Sequence, residues 1–166
     1  MEARQMSTAF LTNENHVLLM KKQSSKLSDR PFWSGLGGHL EPEELNDPKQ
    51  ACYREIHEES GLTAEEMEGL ELRYILLRLK DDEIRQQFVY FGETKTTNVT
   101  ASEEGELHWI HKDAMSGLPM STIIKFMLEH YEANLDNPAI TVGVISIDSS
   151  GNPFIQWSDL QDPEVF

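Results

Sequence analysis

The stretch from Gly38 to Leu62, GHLEPEELNDPKQACYREIHEESGL, constrains this chain more than any other. Asp47 suits a helix N-cap, Pro48 the first helical position, and Gln50 completes a capping-box-like pattern. Gly61 is a natural stop after Ser60, so a helix over 48–60 is predicted. On that helix Glu55, Glu58 and Glu59 fall at i, i+3 and i+4 and share one face. At about 100° per residue, Glu58, Glu55 and Glu59 follow one another along an arc that Cys52 and Ile56 continue. A merely solvated acidic face would lie across the helix from the core. This one abuts the apolar stripe, which places it at the edge of a cleft.

Like charges at these spacings cost a helix about 0.2–0.5 kcal/mol per pair, a cost that a divalent cation removes. Mg²⁺ takes one or two carboxylates plus waters and substrate phosphates. Such an ion offsets charge as a P–O bond breaks and lowers the pKa of an attacking water. Metal-assisted chemistry on a phosphate is therefore the leading expectation. Arg54, next to Glu55 and four residues before Glu58, can clamp a carboxylate or reach a phosphate. Each part is ordinary by itself: Arg54–Glu58 is an everyday helix ion pair, and clustered glutamates occur on many solvated helices. Gly35-Leu36-Gly37-Gly38 lacks the Lys-Ser/Thr of a P-loop and the Rossmann spacing. Their conjunction, with Glu41, Glu43 and Glu44 just ahead of the helix, carries the reading.

The rest of the chain reads as alternating strands and helices. Met6 to Lys22 holds two apolar runs around Thr12-Asn13-Glu14-Asn15, the pattern of a hairpin. Gln23 to Arg30 reads as a polar loop, and Phe32 to Leu40 as a strand ending in a tight turn. Leu70–Leu79 and Ile84–Glu93 form a long hairpin about Asp81-Asp82. Lys95 to Gly105 is an exposed loop, Glu106–His111 a strand, and Pro119 to Tyr131 an amphipathic helix. Ala139 to Asp159 folds as a second hairpin around Ser149-Ser150-Gly151-Asn152. The order is that of an α+β fold with helices packed on a mixed sheet.

With 166 residues the chain is read as one domain, a core over about 5–134 and a C-terminal hairpin extension over 135–166. Its net charge of −15 opposes binding to a nucleic acid polymer, which needs Lys and Arg on phosphates. It leaves room for a small nucleotide, since bound cations reverse the local sign. Cys52 is the one cysteine, so no intrachain disulfide forms, and its place beside Ile56 fits a buried structural thiol. No apolar run is long enough to cross a membrane, and MEARQMSTAF lacks the apolar core of a signal peptide. A cytoplasmic protein is expected.

The motif resembles the signature of the Nudix hydrolases: a Gly, five residues, a Glu, seven residues, then Arg-Glu-apolar-x-Glu-Glu-x-Gly-apolar. Five residues separate Gly38 from Glu44, and Arg54-Glu55-Ile56-His57-Glu58-Glu59-Ser60-Gly61-Leu62 matches the second half throughout. There are two departures. Nine residues, not seven, separate Glu44 from Arg54, and Glu43 stands where a Gly commonly precedes the first Glu.

The resemblance implies a Nudix-type α/β/α sandwich around a mixed sheet. It also implies Mg²⁺- or Mn²⁺-dependent hydrolysis of a nucleoside diphosphate linked to another group. Carried over, Glu55, Glu58 and Glu59 are the metal ligands, Glu58 or Glu59 helps to activate water, and Arg54 orients a glutamate. A later acidic residue completes the site, with Glu103, Glu104 and Glu106 as candidates and Glu104 taken as the catalytic one.

Trp33, Gly37 and Gly38 are the substrate-side candidates, Trp33 as a platform beneath a base or as a core residue. The run Trp33 to Gly38 resembles that of members acting on oxidised purine nucleoside triphosphates. Leu118-Pro119-Met120-Ser121, however, stands where those members carry an acidic pair. The tail, with Ile140, Val142 and Val144 alternating, suits sheet extension, a cover over the site or a homodimer contact. The rival readings are a nucleotide-sensing module that keeps the fold without catalysis, and an acidic structural protein.

Overall fold

The protein is described here by a computed structural model covering residues 1–23 and 30–165. The loop expected over Gln23 to Arg30 therefore falls, for residues 24–29, outside the described residues. Among the described residues nine strands form one mixed sheet: β1 (Glu2–Asn13), β2 (His16–Lys22), β3 (Phe32–Ser34), β4 (Leu36–His39), β5 (Met67–Lys80), β6 (Glu83–Thr94), β7 (Glu106–His111), β8 (Thr141–Ile147) and β9 (Pro153–Asp159). Two helices, α1 (Pro48–Ser60) and α2 (Thr122–Ala133), pack on it. Among the described residues no helix is long and apolar enough to cross a membrane.

The apolar runs of β1 and β2 do not alternate with polar residues because both faces of these strands are covered. Ala9, Leu11, Leu18 and Met20 join Cys52 and Ile56 in a core under α1. Their neighbours Phe10, Val17 and Leu19 join Ile123, Ile124 and Met127 in a second core under α2. The sheet thus separates two apolar layers, the α/β/α sandwich that the element order implies.

The β1–β2 hairpin is zipped only beside its turn, from Leu11↔Leu18 to Asn13↔His16. Beyond it the strands part. There β4 pairs with Met6–Ala9 of β1, while β3 pairs with Met20–Lys22 of β2. The single strand expected over Phe32 to Leu40 is therefore two, broken at Gly35, where a Cβ would lie 2.5 Å from the Ala9 carbonyl oxygen. The wedged β4 brings Gly37 and Gly38 beneath α1.

The second helix starts at Thr122, three residues later than the Pro119 start expected from apolar spacing, with Ser121 at the N-cap. Pro119 instead offers its carbonyl to the Trp33 N–H at 2.8 Å. The C-terminal hairpin extends the sheet: β8 runs parallel to β5 from Tyr74↔Thr141 to Leu77↔Val144, and β9 forms the border.

Candidate active site

The ends of α1 are fixed as the sequence dictates. The Asp47 side chain accepts from the Gln50 N–H, Pro48 occupies the first turn, and Gly61 (φ 74°) returns its N–H to the His57 carbonyl. With the helix set, exposure falls along the acidic arc. The Glu58 side chain is 56% exposed, whereas Glu55 is 8% exposed, Glu59 1%, and Cys52 and Ile56 fully buried. The acidic stripe therefore descends from solvent into the seam between α1 and β4.

Arg54 holds this stripe. Its Nε and Nη2 donate to the two oxygens of Glu44 at 2.7 and 2.9 Å, a fork-to-fork pair. Its Nη1 donates to Glu55 at 2.9 Å and to Glu58 at 3.2 Å, and Nη2 also reaches the His39 carbonyl at 3.1 Å. Glu44 is itself fixed, since its Oε2 accepts the Glu41 N–H at 2.9 Å within a 3-10 turn over Pro42–Glu44. The hydrogen bonds from Arg54 hold the Glu44 carboxyl below its usual range. The two extra residues between Glu44 and Arg54 are absorbed ahead of α1, so the longer interval leaves this pair intact.

Glu55 and Glu59 carry the opposite shift. Burial raises the Glu55 carboxyl, with Glu58 and Glu104 pushing the same way and Arg54 pulling it down. Burial and then Glu104 push Glu59 up to about 8, against the Gly37 N–H and the charge of Lys22. Glu59 Oε2 accepts that N–H at 2.7 Å, while its buried Oε1 receives no donated hydrogen bond among the described atoms and the Glu104 carboxyl lies within hydrogen-bonding reach of Glu59. A buried carboxylate left half-satisfied is costly unless something positive joins it.

The glycines of β4 make the approach possible. A Cβ on Gly38 would lie 2.5 Å from Glu55 Oε1, and one on Gly37 would lie 2.0 Å from the Ser7 carbonyl oxygen. A side chain at Gly37 would push β4 away from β1, and one at Gly38 would displace the Glu55 carboxylate.

Of the three late acids, Glu104 is the one whose charge acts on both Glu55 and Glu59. Glu106 turns to His108 at 3.1 Å. Trp33 is placed elsewhere: it packs with the α2-side core, meets the His108 ring edge at 5.3 Å and lies 6.0 Å from the Lys21 ammonium. Glu44 as the anchor of Arg54, the Gly37 N–H and Lys22 complete the surroundings of the glutamates. Sequence reading missed these roles, since each depends on a loop or strand folding against α1.

No group of three His, Cys, Asp or Glu among the described residues converges as a ready-made cation cage. The donor set, carboxylate oxygens alone with one buried oxygen receiving no donated hydrogen bond, nevertheless has the chemistry a hard divalent cation selects. A separate cavity of about 320 Å³ lies on the α2 side, lined by Phe10, Phe91, Arg73, Lys112 and Tyr131, with the sheet between it and the glutamates.

Comparison with known proteins places this geometry. Three similar solved structures share the fold. A MutT protein from Bacillus halodurans aligns with a TM-score of 0.70 at 20% identity, over 93% of this chain and 97% of that one. A MutT protein from Methanosarcina mazei Go1 aligns at 0.68 and 18% identity, over 82% and 97%. A C. elegans Ap4A hydrolase in a binary complex aligns at 0.63 and 17% identity, over 81% and 98%. No curated protein sequence matches the chain. The NUDIX domain matches residues 3–128, a span that takes in β1 through most of α2 and every glutamate of the acidic arc; the chain belongs to the NUDIX family.

Proposed function

We propose that the chain hydrolyses the diphosphate linkage of a small nucleoside diphosphate derivative, using Mg²⁺ or Mn²⁺ held by Glu55, Glu58 and Glu59. The observation that carries this reading is Glu59, a buried carboxylate with one oxygen on the Gly37 N–H and the other receiving no donated hydrogen bond among the described atoms. A cation bound there would offset charge on the phosphate oxygens during P–O cleavage.

The chain's own residues do the positioning. Arg54 fixes Glu55 and Glu58 from one side, and Glu44 with the His39 carbonyl fixes Arg54. Gly38 lets β4 close against Glu55 without a side chain between them. Water attacks phosphorus, the bridging oxygen leaves with the departing phosphate, and the water's proton passes to a carboxylate of the cluster. Glu58, the exposed member, and Glu104, beside Glu59, are the candidates for that acceptor. Oxidised purine nucleoside triphosphates are the substrates that the run Trp33 to Gly38 favours, while Trp33 itself packs with the core under α2, across the sheet from the glutamates.

The test is a panel of nucleoside triphosphates, oxidised nucleotides, nucleotide sugars and dinucleoside polyphosphates, scored by the phosphate species released with Mg²⁺ or Mn²⁺. Wild type is expected to turn over at least one class, and Glu58→Gln to lose about 10²–10³ in rate. Near-normal turnover in Glu58→Gln would remove this carboxylate from the mechanism. Tight binding of a nucleotide without turnover would make the chain a sensor.

A further inference from the structure

The acidic character of this chain is not spread evenly over its sheet. In β1, β6, β8, β9 and the stretch of β5 from Tyr74 onward, the register assigns the paired residues to one of two faces. On the α2 side the far end of the sheet carries Arg4, Arg78, Lys80, Glu83 and Arg85, tied by Arg4–Glu83 and Arg85–Glu83. On the other side the same strands turn out Leu77, Leu79, Ile84, Val142, Val144 and Phe154, interspersed only with uncharged residues such as Gln86, Ser146, Gln156 and Ser158. No charged side chain interrupts this face from Ile84 in β6 across to Phe154 in β9, in a chain of net charge −15.

Among the described residues no helix packs over it. α1 packs on β4 and β1, and exposure rises away from it. Phe154 is 36% exposed, Val144 40%, Ile84 42% and Leu79 61%. A contiguous apolar patch of this kind on a strongly charged surface marks an interaction site.

We infer that this face is a two-fold interface with a second copy of the same chain. Charge selects the occupant. Two bodies of net charge −15 repel wherever their acidic surfaces meet, and this face is where two copies touch without opposing carboxylates. Conversely, a basic partner drawn by the acidic surface would find no charge here to pair with. A neutral, apolar face is best matched by another such face, which a two-fold axis supplies.

Size limits its strength. Four strands about 4.8 Å apart, with three outward residues each, make a plane of roughly 19 by 17 Å. Two such planes, about 320 Å² each, cover roughly 650 Å² in total when packed about 10 Å apart as a sandwich, below the size of stable interfaces and in keeping with a weak, transient contact. The dimer is therefore expected to be weak.

Sedimentation equilibrium between about 2 and 200 μM tests this. Wild type is expected to move from 19.0 kDa towards twice that mass as concentration rises. Val144→Lys and Leu79→Lys, both at exposed positions that tolerate a long polar side chain, are each expected to weaken association at least tenfold. Leu135→Lys, exposed but on the α2 side, is expected to leave it unchanged. Circular dichroism confirms that the variants stay folded. A wild type that is monomeric at 200 μM overturns the inference and leaves the face to a different partner or to none. A dimer indifferent to both lysine variants overturns it as well.

Discussion

Glu44→Gln isolates the anchor of Arg54 from the rest of the acidic arc. The substitution keeps the side-chain length, removes the charge, and turns one acceptor oxygen into an NH₂ group. That group would face Arg54 Nε or Nη2, which now sit 2.7 and 2.9 Å from the carboxylate oxygens. Hydrogen bonds to charged groups contribute about 1.5–3 kcal/mol each. Arg54 keeps Glu55, Glu58 and the His39 carbonyl, and its side chain is 21% exposed, so part of the loss is recovered.

A net cost of about 2–3 kcal/mol follows, and in a domain of this size it lowers Tm by about 5–10 °C. The pH dependence has a definite sign. Because Arg54 holds the folded Glu44 carboxyl below its usual 4.5, the stabilisation is fully present above that value and is lost as pH falls through the folded pKa. Thermal unfolding of wild type and Glu44→Gln at pH 7.5 should therefore differ by that margin. The two should converge as the medium is acidified below about 4.5. A difference under 1 °C at pH 7.5, or one that stays constant into acid, would refute the assignment of Glu44 as the anchor.

Three further predictions concern the same seam. Gly37→Ala places its Cβ against backbone and should destabilise by about 1–3 kcal/mol. Gly38→Ala meets only the end of the Glu55 side chain, so it should unfold near the wild-type temperature while losing divalent-cation affinity by calorimetry; the reverse ranking would contradict the packing. Burial lifts the Cys52 thiol to about 12, so labelling by Ellman's reagent at pH 8 should be at least about 10³-fold slower than in urea, and prompt labelling of the folded protein would rule that out. Because burial raises Glu59 above its usual range, the chelator-treated protein should lose stability as pH rises from about 4.5 towards 8, and Glu59→Gln should flatten that slope in thermal melts.

How much of this was legible in the sequence depended on whether the signal was local. Asp47, Pro48 and Gly61 act on their own helix, so the bounds of α1 are readable directly. The arc from Glu58 to Ile56 is likewise a property of one helix, and its gradient of exposure follows from the wheel alone. The parting of β1 and β2 was not readable, because Gly35 breaks the strand only through a carbonyl that belongs to Ala9. The start of α2 was misread because Pro119 and Met120 continue an apolar pattern, yet the Pro119 carbonyl is recruited by Trp33 from a distant strand. The same limit applies to the site. The Glu44–Arg54 pair and the Gly37–Glu59 hydrogen bond cross from loop or strand to helix. Spacing identified the carboxylates but said nothing about what holds them.

The parallel docking of β8 on β5 has a consequence for biosynthesis. The long fourteen-residue β5 pairs with β6 along one side, and its other side finds a partner only at Tyr74–Leu77, from a segment more than sixty residues downstream. A nascent chain that has emerged only as far as α2 presents an open sheet border, with unpaired amides beside Leu76 and Leu77. Release of the hairpin through Asp159 closes that border, so stalled translation between α2 and β8 would yield an aggregation-prone species whose glutamate arc is already in place.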